Sequence, residues 1–368
     1  MRKSLTFALS LLAALAAAGC PATTTTTTTP PPVDVRAVQL AQVPDETEFV
    51  VQADLARVVE PAVIERWIGR MLQLGRADLD PACAIALLAR AQILTGAMLR
   101  VDALDEEAML LVSGDLAAAD VAACVAQLLG AEPPQPSAEG VYEFSSRREQ
   151  MQIADLATGG VVLASPAALP LARGPAPAAE ASLVGAPAYQ QLRALLGAGP
   201  NDLEAYMTRP TALGDFGFQG AGVVLQRGTA DRYEVVILAG DADGANAIAM
   251  FVATLPLLIA GFEAQLDAAA ETAADPPLAA ETMAEARGVV AAVREALTVA
   301  QTTVEGDAVR VVLELDPSRA SPVQLLVVSG MWLWVRGARD VRESIEQDVA
   351  PVLAVPDEPV GESPPPVE

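Results

Sequence analysis

We place the folded body of the chain between residues 36 and 354. Along it, apolar residues occur either in short runs typical of strands or at the spacing typical of helices. Short apolar runs bounded by turn residues predict β-strands, and residues 49–55 and 161–165 are clear instances. Apolar residues at helical spacing over 63–72 predict an amphipathic helix, and a second helix follows over 82–91. Because hairpins dominate the connections between strands, the pattern predicts an α+β fold of largely antiparallel sheet with helices packed on one face.

Two stretches of the body resemble each other at a fixed spacing. Residues 95–115 align without gaps on residues 221–241, an offset of 126. Each stretch predicts a β-hairpin whose second strand ends in Gly-Asp and leads into a helix. Self-similarity at this spacing indicates two copies of one structural unit.

A second match lies further along the chain. Residues 151–165 align with residues 323–337 at an offset of 172, and both predict two strands around a glycine-containing turn. The offset grows by 172 − 126 = 46 residues, which predicts a helical insertion in the second copy at about residues 254–301. The body is therefore predicted to consist of two tandem pseudo-repeated units, residues 36–198 and residues 199–354.

The first twenty residues have the pattern of a secretory signal. Arg2 and Lys3 form a positive region, residues 5–18 are a mostly apolar run, and Ala17-Ala18-Gly19 stand directly before Cys20. The apolar run is shorter than the roughly 20 residues that span a bilayer. The small-small-Gly-Cys ending resembles the lipobox of bacterial lipoproteins.

This resemblance implies that residues 1–19 are a removed signal peptide and that Cys20 is acylated, for example with palmitate, so that lipid anchors the mature protein in the membrane. Pro21 stands where enterobacterial lipoproteins of the inner membrane carry aspartate, which favours the outer membrane. The alternative is an ordinary secretory signal that happens to reach a cysteine. Residues 20–35 predict a Thr/Pro tether, and residues 355–368, rich in Pro and Glu, predict a disordered tail.

Three segments of the body carry a second resemblance. Residues 50–55 are Val-Val-Gln-Ala-Asp-Leu, residues 162–166 are Val-Leu-Ala-Ser-Pro, and residues 182–192 are Ser-Leu-Val-Gly-Ala-Pro-Ala-Tyr-Gln-Gln-Leu. Together these segments look like large bacterial secreted lipoproteins of unknown function. The resemblance covers most of the body and implies no catalytic residues.

The charged residues exclude several classes of function. The chain has 23 basic and 47 acidic residues, and a net charge of −24 repels nucleic acid and anionic lipid headgroups. Histidine is absent, and Lys3 is the only lysine. These absences exclude Ser-His-Asp and Cys-His catalysis, His-ligated zinc, Schiff bases and P-loops. No cofactor or metal is expected.

Two cysteines remain once Cys20 is assigned to the lipid. Cys83 and Cys124 form an even pair, and an oxidising compartment would allow a disulfide between them. Each also lies in an apolar helical pattern, so two buried thiols are the alternative. The sequence leaves this choice open because it does not give the separation of the two Cβ atoms.

Two groups of acidic residues are candidates for chemistry. Asp241, Asp243 and Asn246 resemble part of a calcium loop, although an aspartate between a strand and a helix is more simply an N-cap. At the turn of the first hairpin stand Asp102, Asp105, Glu106 and Glu107, whereas the second hairpin has Asp231 alone. Paired carboxylates could hydrolyse glycosides, but a solvated acidic turn is the favoured interpretation.

Apolar residues give two further candidates. Residues 245–262 are nearly all apolar, yet they align with the helix after Asp115 and are predicted to form a buried or groove-lining helix of the body rather than a membrane span. Trp332 and Trp334 point to one face of a predicted strand. These two residues are either part of the core or an anchor for a protein partner. Trp67 is the third tryptophan of the chain and is expected in the core.

The sequence thus favours a lipid-anchored binding or scaffolding protein of the bacterial cell envelope, on the periplasmic or cell-surface side, without catalysis. Its expected partners are the membrane, through the lipid, and an envelope protein. One alternative is an envelope hydrolase that uses two carboxylates. The other is a carrier of an apolar ligand held between the Ala-rich helices near residues 245–262 and 286–299.

Overall fold

The computed structural model of the protein describes residues 34–60, 63, 82–101, 106–145, 150–197, 199, 201–213, 216–272 and 280–325. The strands of this part form one twelve-stranded sheet in which neighbouring strands are antiparallel. Eight α-helices in the described part can be given bounds, so the predicted α+β class is confirmed. The strands are β1 (Phe49–Asp54), β2 (Ala91–Val101), β3 (Glu106–Gly114), β4 (Tyr142–Ser145), β5 (Gln150–Asp155), β6 (Val161–Ala164), β7 (Leu203–Met207), β8 (Thr211–Leu213), β9 (Phe216–Gln226), β10 (Asp231–Ala239), β11 (Gln301–Glu305) and β12 (Ala308–Leu315). The helices are α1 (Val35–Gln42), α2 (Leu55–Val58), α3 (Ala82–Leu88), α4 (Ala118–Leu129), α5 (Leu169–Arg173), α6 (Pro187–Leu196), α7 (Ala242–Thr272) and α8 (Ala280–Thr298).

The strand order reads the same outward from the pair β1–β7. On one side it runs β1-β2-β3-β6-β5, with β4 at the edge, and on the other β7-β9-β10-β12-β11, while β8 pairs with β9. In the central pair, Val50 lies opposite Tyr206. The strands that begin the two predicted units therefore join them into one sheet rather than into two separate sheets.

The two long hairpins have matching registers. Thr95 lies opposite Leu111 in β2–β3, and Ala221 lies opposite Ile237 in β9–β10. Both pairs are related by an offset of 126 residues, which is the spacing of the sequence alignment. The predicted hairpins are confirmed.

The expectation of helices on one face of the sheet is wrong. Met109 and Leu111 of β3 belong to a core beneath α1, α5 and α6. Leu110 and Val112, their neighbours along the strand, belong to a second core beneath α2, α3, α4 and α8. Because successive side chains point to opposite faces, an uninterrupted apolar strand requires helices on both.

The predicted strand over residues 323–328 is also wrong where the structure describes it, because residues 322–325 are helical. The Ser321 hydroxyl accepts from the Gln324 N–H, and the Gln324 side chain accepts from the Ser321 N–H at 2.9 Å. This reciprocal capping box, with Pro322 in the first turn, starts a helix rather than a strand. The hairpin that corresponds to β5–β6 in the strand order is instead β11–β12.

The helices that connect the strands differ between the two sides of the sheet. The 31-residue helix α7 and the 19-residue helix α8 lead from β10 to β11, where the 12-residue α4 and strand β4 lead from β3 to β5. These helices lie in and around the insertion predicted at residues 254–301. At the start of the body, Asp34 caps α1 through the Arg36 and Ala37 N–H groups, so the last residues of the predicted tether already belong to the fold.

Candidate functional site

The calcium-like residues lie at the start of α7. The Asp241 carboxylate accepts a hydrogen bond of 2.7 Å from the Gly244 N–H, and Asp243 and Asn246 are exposed on the first turn. This bond satisfies a free donor at the helix N-terminus and confirms the N-cap interpretation. Within the described ranges, no group of three acidic or other metal-ligating residues could hold a metal ion.

The acidic residues of the two hairpins are not equivalent. Asp102 and Asp105 lie outside the described residues. Glu106 and Glu107, at the start of β3, lie opposite Val101 and Arg100 of β2 in the strand register. Asp231, at the second hairpin, has an exposed fraction of 0%. The second turn therefore carries a buried acid, which the sequence pattern alone did not reveal.

Asp231 belongs to an ionic cluster around Arg227. The Arg227 guanidinium donates to Asp231 at 3.1 Å and to Glu60 at 2.9 Å. The Arg227 backbone N–H donates to Asp202 at 2.6 Å, and Asp202 also pairs with Arg57 at 2.7 Å. The cluster ties the β9–β10 turn to the segment after β1, more than 160 residues earlier in the chain.

Burial dominates the electrostatics of this cluster. Desolvation raises the pKa of the Asp231 carboxyl above its ordinary value, although Arg227 acts in the opposite direction. Desolvation and the charge of Asp231 also raise the pKa of Tyr233. The arrangement suits a structural ion pair, in which Arg227 compensates a buried charge.

A shallow depression of about 480 Å³ lies beside α6 and is lined by Val184, Tyr189, Gln190, Arg193 and Ala194. The Arg193 guanidinium donates to the Tyr189 hydroxyl oxygen at 2.7 Å and lies 5.9 Å from the centre of the Tyr189 ring. Burial raises the pKa of Tyr189, so its hydroxyl is neutral at pH 7. Because this bond uses one of the five N–H donors of an arginine, the site can receive an anionic group such as a carboxylate.

Tyr189, which lines the depression, packs against a second tyrosine. Tyr189 and Tyr206 meet edge to face, with their ring centroids 4.8 Å apart. The Tyr206 hydroxyl donates to Glu204 at 2.9 Å, and both rings are almost fully buried. Arg193 is therefore positioned by an aromatic pair that spans α6 and the central strand β7.

The two predicted cysteine partners are joined. Cys83 of α3 and Cys124 of α4 form a disulfide with an S–S distance of 2.08 Å and a Cα–Cα distance of 5.6 Å. The bond closes a sequence separation of 41 residues and links two helices on the same face of the sheet.

The long apolar segment forms the first two thirds of α7. Residues Ala242–Gly261 have a mean hydropathy of 1.8, are long and apolar enough to cross a membrane, and are only 17% buried. Ala245, Ile248 and Val252 pack against the sheet, as expected of a helix of the body. The helix is not fully buried, because Met250, Leu257 and Leu258 are exposed.

Helices α7 and α8 contact each other directly. Ile259 of α7 packs against the core that contains Met283, Ala286 and Val289 of α8, and Glu263 pairs with Arg294. This packing does not support an apolar-ligand cavity between the two helices.

Cys20, Trp67, Trp332 and Trp334 also lie outside the described residues. The structure therefore leaves their predicted roles as predictions. Conversely, sequence analysis missed Arg193 and Arg227, whose partners Tyr189 and Asp231 each stand four residues away along the chain. The four-residue spacing can be read from the sequence, but the burial of Tyr189 and Asp231, which makes the two pairs significant, cannot.

No family model matches the chain, and neither the curated proteins nor the solved structures give a significant match.

Proposed function

We propose that this is a lipid-anchored extracytoplasmic protein of the bacterial cell envelope that binds or scaffolds an envelope partner. Support for the anchor comes from the signal pattern that ends in Ala17-Ala18-Gly19-Cys20 and from the Thr/Pro stretch that follows it. The lipid on Cys20 holds the body near the membrane, and the tether allows it to reach its partner.

The observation that supports binding rather than catalysis is that the buried carboxylates are bound by neighbouring side chains. Asp202, Asp231 and Glu234 pair with Arg57, Arg227 and Arg310, respectively, and Glu204 accepts from Tyr206. Glycoside hydrolysis needs two carboxylates that face a shared substrate space. These four instead bind neighbouring side chains, which favours binding over carboxylate-based hydrolysis.

The binding site we favour is the depression at Tyr189 and Arg193. It is shallow, partly apolar and lined by Tyr189, which packs against Tyr206, and it offers one guanidinium on a strongly acidic protein. An acidic side chain or a chain-terminal carboxylate, set in an apolar segment of a protein partner, fits this chemistry.

We also propose that the body consists of two pseudo-equivalent units related by a two-fold axis through the β1–β7 pair. The equal registers of β2–β3 and β9–β10 support it, as does the strand order on the two sides. The next pairs agree as well, since Leu111 lies opposite Val162 and Ile237 lies opposite Val309. The helices that differ between the units are where we expect a specialised function.

The anchor is tested by labelling cells that produce the full chain with a palmitate analogue. Wild-type protein is expected to incorporate the label and to partition with the membrane, because acylation of Cys20 supplies the anchor. The Cys20→Ala variant should lose both properties. Equal labelling of the two proteins would overturn the lipidation of Cys20.

The binding role is tested by cross-linking in intact envelopes, followed by purification of the full lipidated protein. A stoichiometric protein partner should be captured by the wild type and by Arg173→Ala, but lost with Arg193→Ala. Arg173 is a matched control because it is an exposed arginine bound to the Glu139 carbonyl oxygen, away from the depression. Partner capture that is unaffected by Arg193→Ala would overturn this site, and co-purified lipid without protein would favour the carrier alternative.

A further inference from the structure

We propose that the open edge of strand β11 binds an extended segment of a partner protein, which adds one strand to the sheet and carries a basic residue at its N-terminal end. This edge includes none of the residues that line the depression at Arg193, so the proposal does not rest on the function proposed above. It rests on the exposure of β11, on the direction of its backbone groups and on the charges at its end.

Strand β11 is the last strand on its side of the sheet, and among the described residues it pairs only with β12. All five of its residues are exposed, and no charged residue occurs over positions 296–304. Sheet edges are usually protected from further pairing by proline, lysine or a bulge. Strand β11 has none of these features, whereas Tyr142 and Phe144 of the opposite edge strand β4 pack against a core. A regular, uncharged edge of this kind is a template for another strand.

The backbone groups of two residues point to this open edge. Antiparallel strands alternate between residue pairs that exchange hydrogen bonds and pairs that do not. The Ala239 N–H of β10 donates to the Asp307 carbonyl oxygen at 2.8 Å, so the backbone groups of Ala308, one residue later, are directed to β11. Ala308 belongs to the β11–β12 pair beside the turn. Alternation from this pair directs the N–H and C=O groups of Thr302 and Val304 away from β12, where a partner strand can bind them.

Apolar side chains at the same edge can pack against an added strand. Val304 lies opposite Val309, which packs beneath α7. Because cross-strand partners share a face of the sheet, the Val304 side chain, which is 39% exposed, points to the side that carries α7. Val299, just before β11, is 77% exposed. Main-chain hydrogen bonds together with apolar contacts of this kind are the chemistry of strand addition.

Charge selects the kind of partner. Glu305 at the end of β11, Asp307 in the turn, and Asp241 and Asp243 at the start of α7 are all exposed. The bond from Ala239 to Asp307 brings the start of α7 to this turn. Neighbouring strands of the sheet are antiparallel, so a segment added in the same way begins beside these carboxylates, which attract a basic residue. A second copy of the chain would bring the same carboxylates and a net charge of −24, which favours a different protein as the occupant.

Calorimetry with the full chain and a short peptide tests the proposal. The peptide is Arg-Thr-Val-Thr-Val-Thr, acetylated and amidated at its ends. It has no carboxylate, so its failure to bind would overturn the edge site without affecting the site at Arg193. We expect saturable binding, and the peptide with Glu in place of Arg should bind at least about tenfold more weakly, because it brings a like charge to the acidic end. Glu305→Arg should narrow or reverse this preference, and an unchanged preference would contradict the assigned direction and charge.

A proline variant tests the backbone contact separately. Thr302→Pro removes an N–H that points outward and leaves the hydrogen bonds to β12 in place, so the protein should stay folded in urea denaturation. Its affinity for the Arg peptide should fall by about tenfold or more. Thr302→Val keeps both the N–H and a branched side chain and should bind like the wild type. Equal affinities of the two variants would mean that the peptide does not pair with β11.

Amide hydrogen exchange, followed by NMR, identifies the occupant of the edge. In the full chain alone, the Thr302 and Val304 amides should exchange fast, whereas the Thr303 amide, which is directed to β12, should be protected. Adding the Arg peptide should protect Thr302 and Val304. If both amides are already protected without peptide, sedimentation assigns the edge to a second copy when the protein is a dimer and to the chain itself when it is a monomer. Either result would overturn the proposal.

Discussion

At the scale of single residues, the Arg227 side chain compensates the charge of a fully buried carboxylate. It is 16% exposed and pairs with Asp231, which is fully buried, while its backbone N–H binds Asp202. Removing one partner of such a pair leaves the other charge without compensation in a poorly solvated place. We therefore expect Arg227 to contribute more to stability than an arginine whose partner is also exposed, such as Arg319 with Glu295.

Arg227→Met should lower the free energy of unfolding by about 3 kcal/mol, because Asp231 loses its charged partner while it stays buried. Urea denaturation of the full chain measures this loss. Arg319→Met is the control, since Arg319 and its partner Glu295 are both well exposed, and its effect should lie within the error of the measurement. Equal losses for the two variants would contradict the structural role of Arg227.

The raised pKa of Asp231 predicts a pH dependence. The folded protein holds the Asp231 proton more tightly than the unfolded chain, in which the pKa lies near 3.8. The contribution of this group to stability is therefore greatest below pH 3.8 and declines as the pH rises through the folded pKa.

Asp231→Asn removes this titration, and Arg227 stays charged throughout. The difference in free energy of unfolding between wild type and Asp231→Asn should therefore fall as the pH rises above 3.8, and then level off. Urea denaturation at a series of pH values measures it. A difference that grows over the same range would mean that the charge of Arg227 outweighs burial and that the pKa is lowered.

At the scale of elements, helices α3 and α4 are linked by the Cys83–Cys124 disulfide as well as by their shared core. The sequence named the two cysteines as the even pair that remains beside Cys20, but left open whether they form a disulfide or two buried thiols. That question depends on how two helices pack after the whole of β2 and β3 has intervened.

The disulfide should stabilise the fold by restricting the unfolded chain. For a sequence separation of 41 residues, loop-closure entropy gives about 4 kcal/mol. The Cys83→Ala, Cys124→Ala double variant should lose about this much in urea denaturation. A reducing agent should destabilise the wild type but leave the double variant unchanged. If reduction affects both proteins equally, the bond is not the cause.

Helix starts were predictable where a side chain closes a local bond. Asp241 caps α7 through Gly244, three residues away, and this could be predicted because the contact is local. The Ser321–Gln324 capping box is equally local, yet sequence analysis overlooked it and assigned a strand, because the apolar residues that follow resemble β-structure. The capping signal should have outweighed the apolar pattern.

At the scale of the whole molecule, the sheet should unfold as one unit. The core beneath α1, α5 and α6 contains Val50 and Leu111 of the first predicted unit and Tyr206, Val224 and Val236 of the second. Since β1 and β7 pair directly, the interface between the units lies inside the sheet. Neither unit keeps a complete core without the other.

Tyr206→Ala at this interface should lower the free energy of unfolding by about 3–5 kcal/mol, because it opens a cavity beside Tyr189 and removes a bond to Glu204. Unfolding should remain a single transition. Hydrogen exchange should show equal opening free energies in β3 and β10, which lie on opposite sides of the interface. Two separate transitions, or protection that persists in β3 alone, would contradict a shared core. Val304→Ala on edge strand β11 is the control, because that side chain is 39% exposed.

The sequence by itself determined the α+β class, the two long hairpins with their 126-residue offset, and the N-cap of α7. Each of these depends on alternation, turn residues or bonds that lie within a short stretch of chain. Only the tertiary structure decided that helices cover both faces, that β1 pairs with β7, and that Arg227 meets Glu60 across 167 positions of the chain. The surroundings of Arg193 belong to the same group, since its partner Tyr189 of α6 packs against Tyr206 of β7. These contacts arise from the packing of distant segments, and a periodic pattern shows that a side chain is buried without showing what buries it.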